Sequence, residues 1–344
     1  MARRHLCSVL LCTYNRSALL ERTLESLCEQ THCNENFEVI VMDDGSVDDT
    51  RSVSESFKVR LPLRYVYQRN SGLASARNHA LFHASGDILL LLDDDDIAHP
   101  ELIEEHVRVH NLYPEDNYAV LGFTDLAPEI AADPLMHFVT RVGKFLFSYP
   151  DLEPGQVVDF SYFWGGRSSC KRRFLLEWGI FDPAFRFGCE DIELSFRLSR
   201  QGFKVVYNPC AITTMVRPYS FDGFCNRLIK QGQSNYVFSR FHNEAIVRAW
   251  TEIEDIRKWA VIEPAYEFIC KSGRDLDQLY RLKLSLGMVT AEDTGLLHEA
   301  YWNAFRASKI KGMAERAMAE GDERPHVTGS DVKTTLMASA VADS

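Results

Sequence analysis

No stretch of this chain reaches the roughly 18 apolar residues that a membrane-spanning helix needs. The most lipid-like segment, residues 135–149, is broken by His137, Arg141 and Lys144. The short apolar run behind Met1-Ala2-Arg3-Arg4 contains Cys7 and Ser8, so it reads as a first strand rather than a signal peptide. No C-x-x-C pair occurs and the nine cysteines are odd in number. Neither a zinc site nor a secreted disulfide framework is expected, and reduced thiols in the cytoplasm are the default. Basic residues are in deficit, 38 against 49 acidic, for a formal charge of -11. Nucleic acid is thereby excluded as the main partner, and the same balance weighs against the membrane surface. No internal repeat is present.

What is there is ordinary globular material: 344 residues, 46% hydrophobic and 25% charged. That length corresponds to roughly two domains, or one large α/β unit with a C-terminal appendage. Strand-like runs at residues 6–12, 37–42, 63–67 and 88–92 alternate with helix-period runs at 17–30, 49–57 and 74–84. Such alternation predicts a Rossmann-like, mostly parallel central sheet flanked by helices. A helix at 100–112, a strand at 118–122, helices near 135–147, 171–179 and 190–201, and a strand at 203–207 continue the pattern. Beyond residue 243 the strand signal fades, and apolar spacing at Leu276, Leu279, Leu282, Leu286 and at Leu297, Tyr301, Ala304, Phe305 predicts packed helices. The expected organisation is a nucleotide-binding half at 1–122, an acceptor and catalytic half at 123–243, a helical extension at 244–320 and a disordered tail at 321–344.

Parallel sheets bind ligands beyond the carboxyl ends of their strands, so the residues just after each strand carry the chemistry. Asp93 to Asp96 follow the strand at 88–92. Clustered carboxylates invite a hard divalent cation, and Mg²⁺ or Mn²⁺ is often held by one or two carboxylates plus substrate phosphates. The same residues also suit the positive end of the helix that follows. Asp43-Asp44-Gly45-Ser46 offers a carboxylate to a base N–H or ribose hydroxyl, or simply a turn and a helix start. Glu190-Asp191 opens an amphipathic helix, where either could serve as a base or merely complement the helix dipole. Lys171-Arg172-Arg173 reads as a solvated helix start.

Taken in order, these segments resemble the inverting glycosyltransferases of family 2, which have the GT-A fold. The resemblance spans residues 7–243. It rests on Ser8 to Arg16, on Asp43-Asp44-Gly45-Ser46 with Asp48, and on Asn70-Ser71-Gly72 with Ala76-Arg77-Asn78. It also rests on Leu92 to Asp96 and on Phe181-Asp182 through Glu190-Asp191. It implies a nucleotide-sugar donor, UDP before dTDP, bound by Thr13, Tyr14, Arg16, Asp44, Asn70, Arg77, Asp93 and Asp94. Asp93 would address the ribose, and Asp95 with Asp93 would hold Mn²⁺ or Mg²⁺. Asp191 is the expected general base, with Glu190 beside it. Trp164, Gly165 and Gly166 read as a sugar-facing wall or as core packing at a tight turn.

The implied acceptor is a hydroxyl on a glycan, a lipid-linked sugar or a small metabolite. The C-terminal helices would close that pocket, form a homodimer or touch a membrane peripherally. The histidine that this family commonly supplies after Tyr207-Asn208-Pro209 is missing from residues 212–217. Water, Arg217 or His242 are the alternatives for its place. A nucleotidyltransferase, a retaining transferase and a non-catalytic binder are the competing readings. Against the first, no glycine-rich, lysine-containing triphosphate loop lies near the start.

Overall fold

The computed structural model describes residues 6–32, 34–147 and 149–321. The basic start Met1–Arg4 and all but the first residue of the expected tail lie outside them. Cα packing divides the chain into two units: Met1–Ala132 with Ser148–Pro218, and Asp133–Phe147 with Tyr219–Ser344. This division differs from the sequence boundaries at 122 and 243. The segment Asp133–Phe147 and the helix Phe221–Phe241 both belong to the second unit, because their apolar faces share a core with the C-terminal helices.

The first unit is built on one sheet whose strands are β1 (Cys7–Thr13), β2 (Phe37–Asp43), β3 (Leu63–Tyr67), β4 (Ile88–Asp93), β5 (Asp96–Ala98), β6 (Tyr118–Leu126), β7 (Val157–Val158), β8 (Ser168–Lys171) and β9 (Lys204–Met215). Their order is β3-β2-β1-β4-β8-β6-β9-β5, with β7 beside β9. The four strands β3, β2, β1 and β4 are all parallel. β8 then runs antiparallel to both β4 and β6, while β6 and β9 are parallel. Buried Val9, Leu11, Val39, Val41, Leu90 and Leu92 pack under the helices Ser17–Leu27 and Leu102–Leu112. Central strands covered on both faces read as near-continuous apolar runs, which is why β1, β2 and β4 were legible.

Register brings the ends of these strands level. Thr13 pairs with Asp43, Asp43 with Tyr67, and Cys12 with Asp93. The polar segments after β1, β2, β3 and β4 therefore all emerge at one sheet edge, as the topological rule requires.

The sequence pattern misses the edges. β5, β7, β8 and the second half of β9 are too short or too polar to show a period. Lys171, expected as a solvated helix start, is instead buried at the end of β8. Its Nζ donates to the carbonyls of Tyr113 and Glu115 at 2.6 and 2.5 Å. The helix expected at 135–147 is a helical turn at Pro134–His137 that widens into a π-turn at Phe138–Val142.

In the second unit the helices Phe221–Phe241, Tyr266–Ser285 and Ala291–Ala319 enclose an aromatic core of Phe138, Phe221, Phe224, Tyr301 and Phe305. Leu297, Tyr301, Ala304 and Phe305 are buried as expected. The leucine row on the preceding helix is not: Leu279, Leu282 and Leu286 are 50%, 57% and 63% exposed. That helix buries Tyr266, Cys270, Gly273 and Asp277. Asp277 accepts from the Tyr301 hydroxyl and from Arg281 at 2.9 Å. Helical period identifies a face but not which face is covered. Among the described residues no helix is long and apolar enough to cross a membrane.

Candidate functional site

The loops after β1 and β2 are stitched together before any ligand is considered. Asn15, at a positive φ of 53°, donates its N–H to Ser46 Oγ at 2.8 Å and accepts from the Val47 N–H at 2.8 Å. Asp48 accepts from the Ser17 N–H at 2.9 Å. Asp44 holds the next loop: its carboxylate accepts from Gln68 Nε2 (2.6 Å), the Ser71 N–H (2.8 Å) and the Gly72 N–H (3.0 Å). A carboxylate has about four acceptor sites, so one remains for a ligand. Gly45 has a φ of 94°, and a Cβ there would lie 2.7 Å from the Asn70 nitrogen. Tyr14 is exposed beside this edge, and exposed Asn70 meets Arg186 at 3.5 Å.

The four aspartates are each matched by a guanidinium. Asp93 accepts from Arg167 at 3.0 Å and lies 3.9 Å from Arg77. Asp94 accepts from Arg16 at 2.7 Å, Asp95 from Arg217, and Asp96 from Thr213 at 3.2 Å with Arg167 at 3.5 Å. Burial pushes the Asp94 carboxyl up to about 6, opposed by Arg16 and reinforced by Asp95. Burial likewise raises Asp96, to about 8, against the pull of Arg167.

Because Asp94 binds its proton more tightly when folded, its contribution to stability is complete below the ordinary value of 3.8. It is lost as pH rises through about 6. Asp94→Asn should therefore flatten the fall in unfolding free energy over that window, measured by denaturant titration across pH.

A buried arginine links the acidic cluster to the second acidic pair. Arg77 donates to Glu190 Oε1 at 2.6 Å and to the Gly165 carbonyl, and its guanidinium lies 5.5 Å from the Phe181 ring centre. It was expected near a nucleotide; here both ends of its fork are occupied by protein. Burial, with the neighbouring Asp191 charge, raises the Glu190 carboxyl to about 7 while Arg77 lowers it. Glu190 Oε2 has no hydrogen-bond partner.

Asp191 stands at the start of the helix Glu190–Ser199, behind Gly188 and Cys189 at positive φ. Its Oδ2 accepts from the Gly165 N–H at 2.7 Å and its Oδ1 from the Ile192 N–H at 2.8 Å. The Trp164 indole N–H donates to the Ser161 carbonyl at 2.8 Å, and its ring packs against Tyr149 and Tyr162.

The glycines at 165 and 166 do allow close approach, but by the protein's own side chains. A Cβ on Gly165 would fall 2.3 Å from Arg77 Nη1, and one on Gly166 2.0 Å from Asp93 Oδ2. Asp93 is partly exposed and can swing outward, whereas Arg77 is enclosed. Gly165→Ala should thus cost more stability than Gly166→Ala, with overpacking of about 1–3 kcal/mol for the former, read from denaturant midpoints.

Sequence reasoning missed Arg167 and Thr213. Each reaches Asp93 or Asp96 over more than seventy intervening residues, and neither lies in a motif. Of the three alternatives for the absent histidine, Arg217 is the one seated on Asp95. His242 ends the helix Phe221–Phe241 in the second unit, its ring 5.5 Å from Phe238.

Among the described residues no group of three or more His, Cys, Asp or Glu side chains is arranged to hold a metal ion. The donor set is nonetheless all oxygen, as Mg²⁺ and Mn²⁺ prefer. The buried Asp94 Oδ2, Asp96 Oδ1 and Thr13 Oγ1 are without hydrogen bonds. Arg167 and Arg217 bond Asp93 and Asp95 through Oδ2, and one or two such carboxylates suit a cation that draws its remaining ligands from substrate phosphates.

Residues 8–149 match the family described as Glycosyl transferase family 2. A validoxylamine A glucosyltransferase from Streptomyces hygroscopicus subsp. jinggangensis is 36% identical over 220 residues, covering 57% of this chain and 52% of that protein. The Pasteurella multocida hyaluronan synthase is 30% identical over 58% of this chain and 23% of its own. The chain thus spans about half the length, or less, of these curated relatives. Among solved structures, the Pyrobaculum calidifontis mannosyltransferase PcManGT, in complex with GDP-Man and Mn²⁺, aligns with a TM-score of 0.60 at 19% identity. It covers 92% of this chain and 88% of its own. S. aureus TarS 1-349 with UDP-GlcNAc gives 0.53 at 15% identity, with 92% of each chain covered. At these identities the likeness concerns the GT-A fold.

Proposed function

We propose, from the match of residues 8–149 to glycosyl transferase family 2, that the chain transfers a sugar from a nucleotide-diphosphate sugar to an acceptor hydroxyl, in one inverting, metal-dependent displacement. The observation that carries this reading is the placement of Asp191. Its carboxylate is anchored by two backbone N–H groups, and Gly165, which supplies one of them, also binds Arg77 beneath the Asp93 carboxylate. The proposed base and the acidic cluster proposed for the cation are thereby joined through Gly165 and Arg77.

In this reading Asp191 takes the proton of the acceptor hydroxyl as that oxygen attacks the anomeric carbon. Held at both oxygens, it loses little orientational freedom on reaching the reactive geometry. Arg77 keeps Glu190, and through Gly165 the base itself, in register. Asp95 and Asp93 would hold Mn²⁺ or Mg²⁺, which supplies charge stabilisation to the departing diphosphate. The free acceptor site of Asp44 and the exposed ring of Tyr14 suit a base N–H and a base face.

UDP is the leading nucleotide and dTDP the next, since both present the same N–H. The relatives are named for glucosyl transfer and hyaluronan synthesis, and the neighbours carry GDP-Man or UDP-GlcNAc. A reduced, cytoplasmic setting is part of the same proposal.

The test is calorimetric titration of UDP, dTDP, GDP and CMP with Mn²⁺ and again with excess chelator, followed by NMR of the product anomer. One nucleotide should bind, about tenfold or more tighter with metal, and its sugar should transfer with inverted configuration. Absence of binding by all four under both conditions would remove the donor site from the account.

A further inference from the structure

The strand register that closes the sheet sets a cation directly on the carboxylate proposed for the metal. β5 pairs antiparallel with β9, Asp96 opposite Met215. Asp95, one residue earlier, then meets the chain just past Met215, and the Val216 N–H donates to the Asp95 carbonyl at 3.1 Å. Arg217 follows, and its Nε sits on Asp95 Oδ2. From the loop after β1, Arg16 bonds Asp94 at 2.7 Å and approaches Asp95 to 3.6 Å. Arg167 covers Asp93 and Asp96. Four carboxyl groups therefore face these three guanidiniums, with Arg77 3.9 Å from Asp93 besides, and little net negative charge is left to attract a divalent ion.

Asp95 is buried, so its pairing with Arg217 is poorly screened and costly to break. A metal ion arriving alone has to break that pairing and brings no anion in exchange. A metal ion arriving with a diphosphate brings an anion on which a guanidinium can make bidentate hydrogen bonds. We infer that Arg217 guards Asp95, so that a divalent cation occupies this carboxylate only together with the donor's diphosphate. The inference rests on the proposed donor site and assigns the order of loading to one side chain. Arg217 is a positioning residue in this sense, acting on the metal through Asp95.

The experiment titrates Mn²⁺ by calorimetry into the full chain alone and into the full chain saturated with UDP, for the unmodified protein, Arg217→Gln and Arg217→Lys. Thermal unfolding of each establishes that it is folded. For the unmodified protein, Mn²⁺ should bind about tenfold or more tighter with UDP than without. Arg217→Gln should tighten binding of Mn²⁺ alone by a similar factor and shrink the effect of UDP. Arg217→Lys, which keeps the charge, should leave Mn²⁺ alone weakly bound.

Equal Mn²⁺ affinity with and without UDP in the unmodified protein would overturn the inference. So would an Arg217→Gln variant whose affinity for Mn²⁺ alone is unchanged. If Arg217→Gln does not fold, an Arg217→Lys variant that binds Mn²⁺ alone as tightly as the unmodified protein does with UDP overturns it equally. Failure of UDP to bind at all counts against the donor reading, while the comparison of Mn²⁺ alone across the variants still decides the guard.

Discussion

Asp191→Asn is expected to lower kcat for sugar transfer by about 10²–10⁴-fold, the range over which a positioned general base acts. Nucleotide binding should stay within about twofold, because Asp191 touches the Gly165 and Ile192 N–H groups and none of the aspartates at the sheet edge. Asparagine matches the carboxylate in size but has one acceptor oxygen where Asp191 uses two. One backbone N–H would lose its partner, a cost of about 1–3 kcal/mol that denaturant titration separates from the catalytic loss. A steady-state assay of released nucleotide, run beside calorimetric titration of the same nucleotide, gives both quantities. Transfer at the unmodified rate would take Asp191 out of the mechanism and leave the acidic pair a structural role.

Arg77→Ala is expected to destabilise the first unit by about 3–5 kcal/mol, the cost of leaving one partner of a buried ion pair alone. The guanidinium fills the space between Glu190, the Gly165 carbonyl and the Phe181 ring. Its removal strands the Glu190 carboxylate, of which one oxygen already lacks a partner. The double variant Arg77→Ala with Glu190→Gln should recover a large part of that loss, since no buried charge is left over. Denaturant midpoints for the two single variants and the pair form a cycle that measures the coupling. If the losses simply add, Arg77 stabilises by packing alone and does not hold the acidic pair.

The candidate site was legible where the chemistry is local. Asp93 to Asp96 follow a pure apolar strand, Asp43 and Asp44 end another, and Glu190-Asp191 opens an amphipathic helix. The topological rule alone gathers the first two at one edge, and the register of β1, β2 and β4 does so. The arginines were not legible in the same way. The motif around Arg77 points to the nucleotide, whereas its bonds to Gly165 and Glu190, 88 and 113 residues away, leave no local signal. Arg167 carries no motif at all. The leucines at 279, 282 and 286 have the spacing of a buried face, yet the covered side of their helix is the one with Gly273 and Asp277, where Gly273 lets Phe221 close in.

The sequence by itself determined the strands of the parallel half, the family resemblance of its first part, and the residue types delivered to the sheet edge. Each of these depends on periodicity and on the few residues next to a strand's carboxyl end. Only the tertiary structure decided which charges meet. β5 is three residues long and shows no period, yet its pairing with β9 brings Arg217 onto Asp95 across 122 residues. The approach of Gly165 and Gly166 to Arg77 and Asp93 likewise depends on the absence of two Cβ atoms. Contacts of that kind arise from register and close packing between distant segments. Local propensity carries no information about them, and they set the electrostatics of the site.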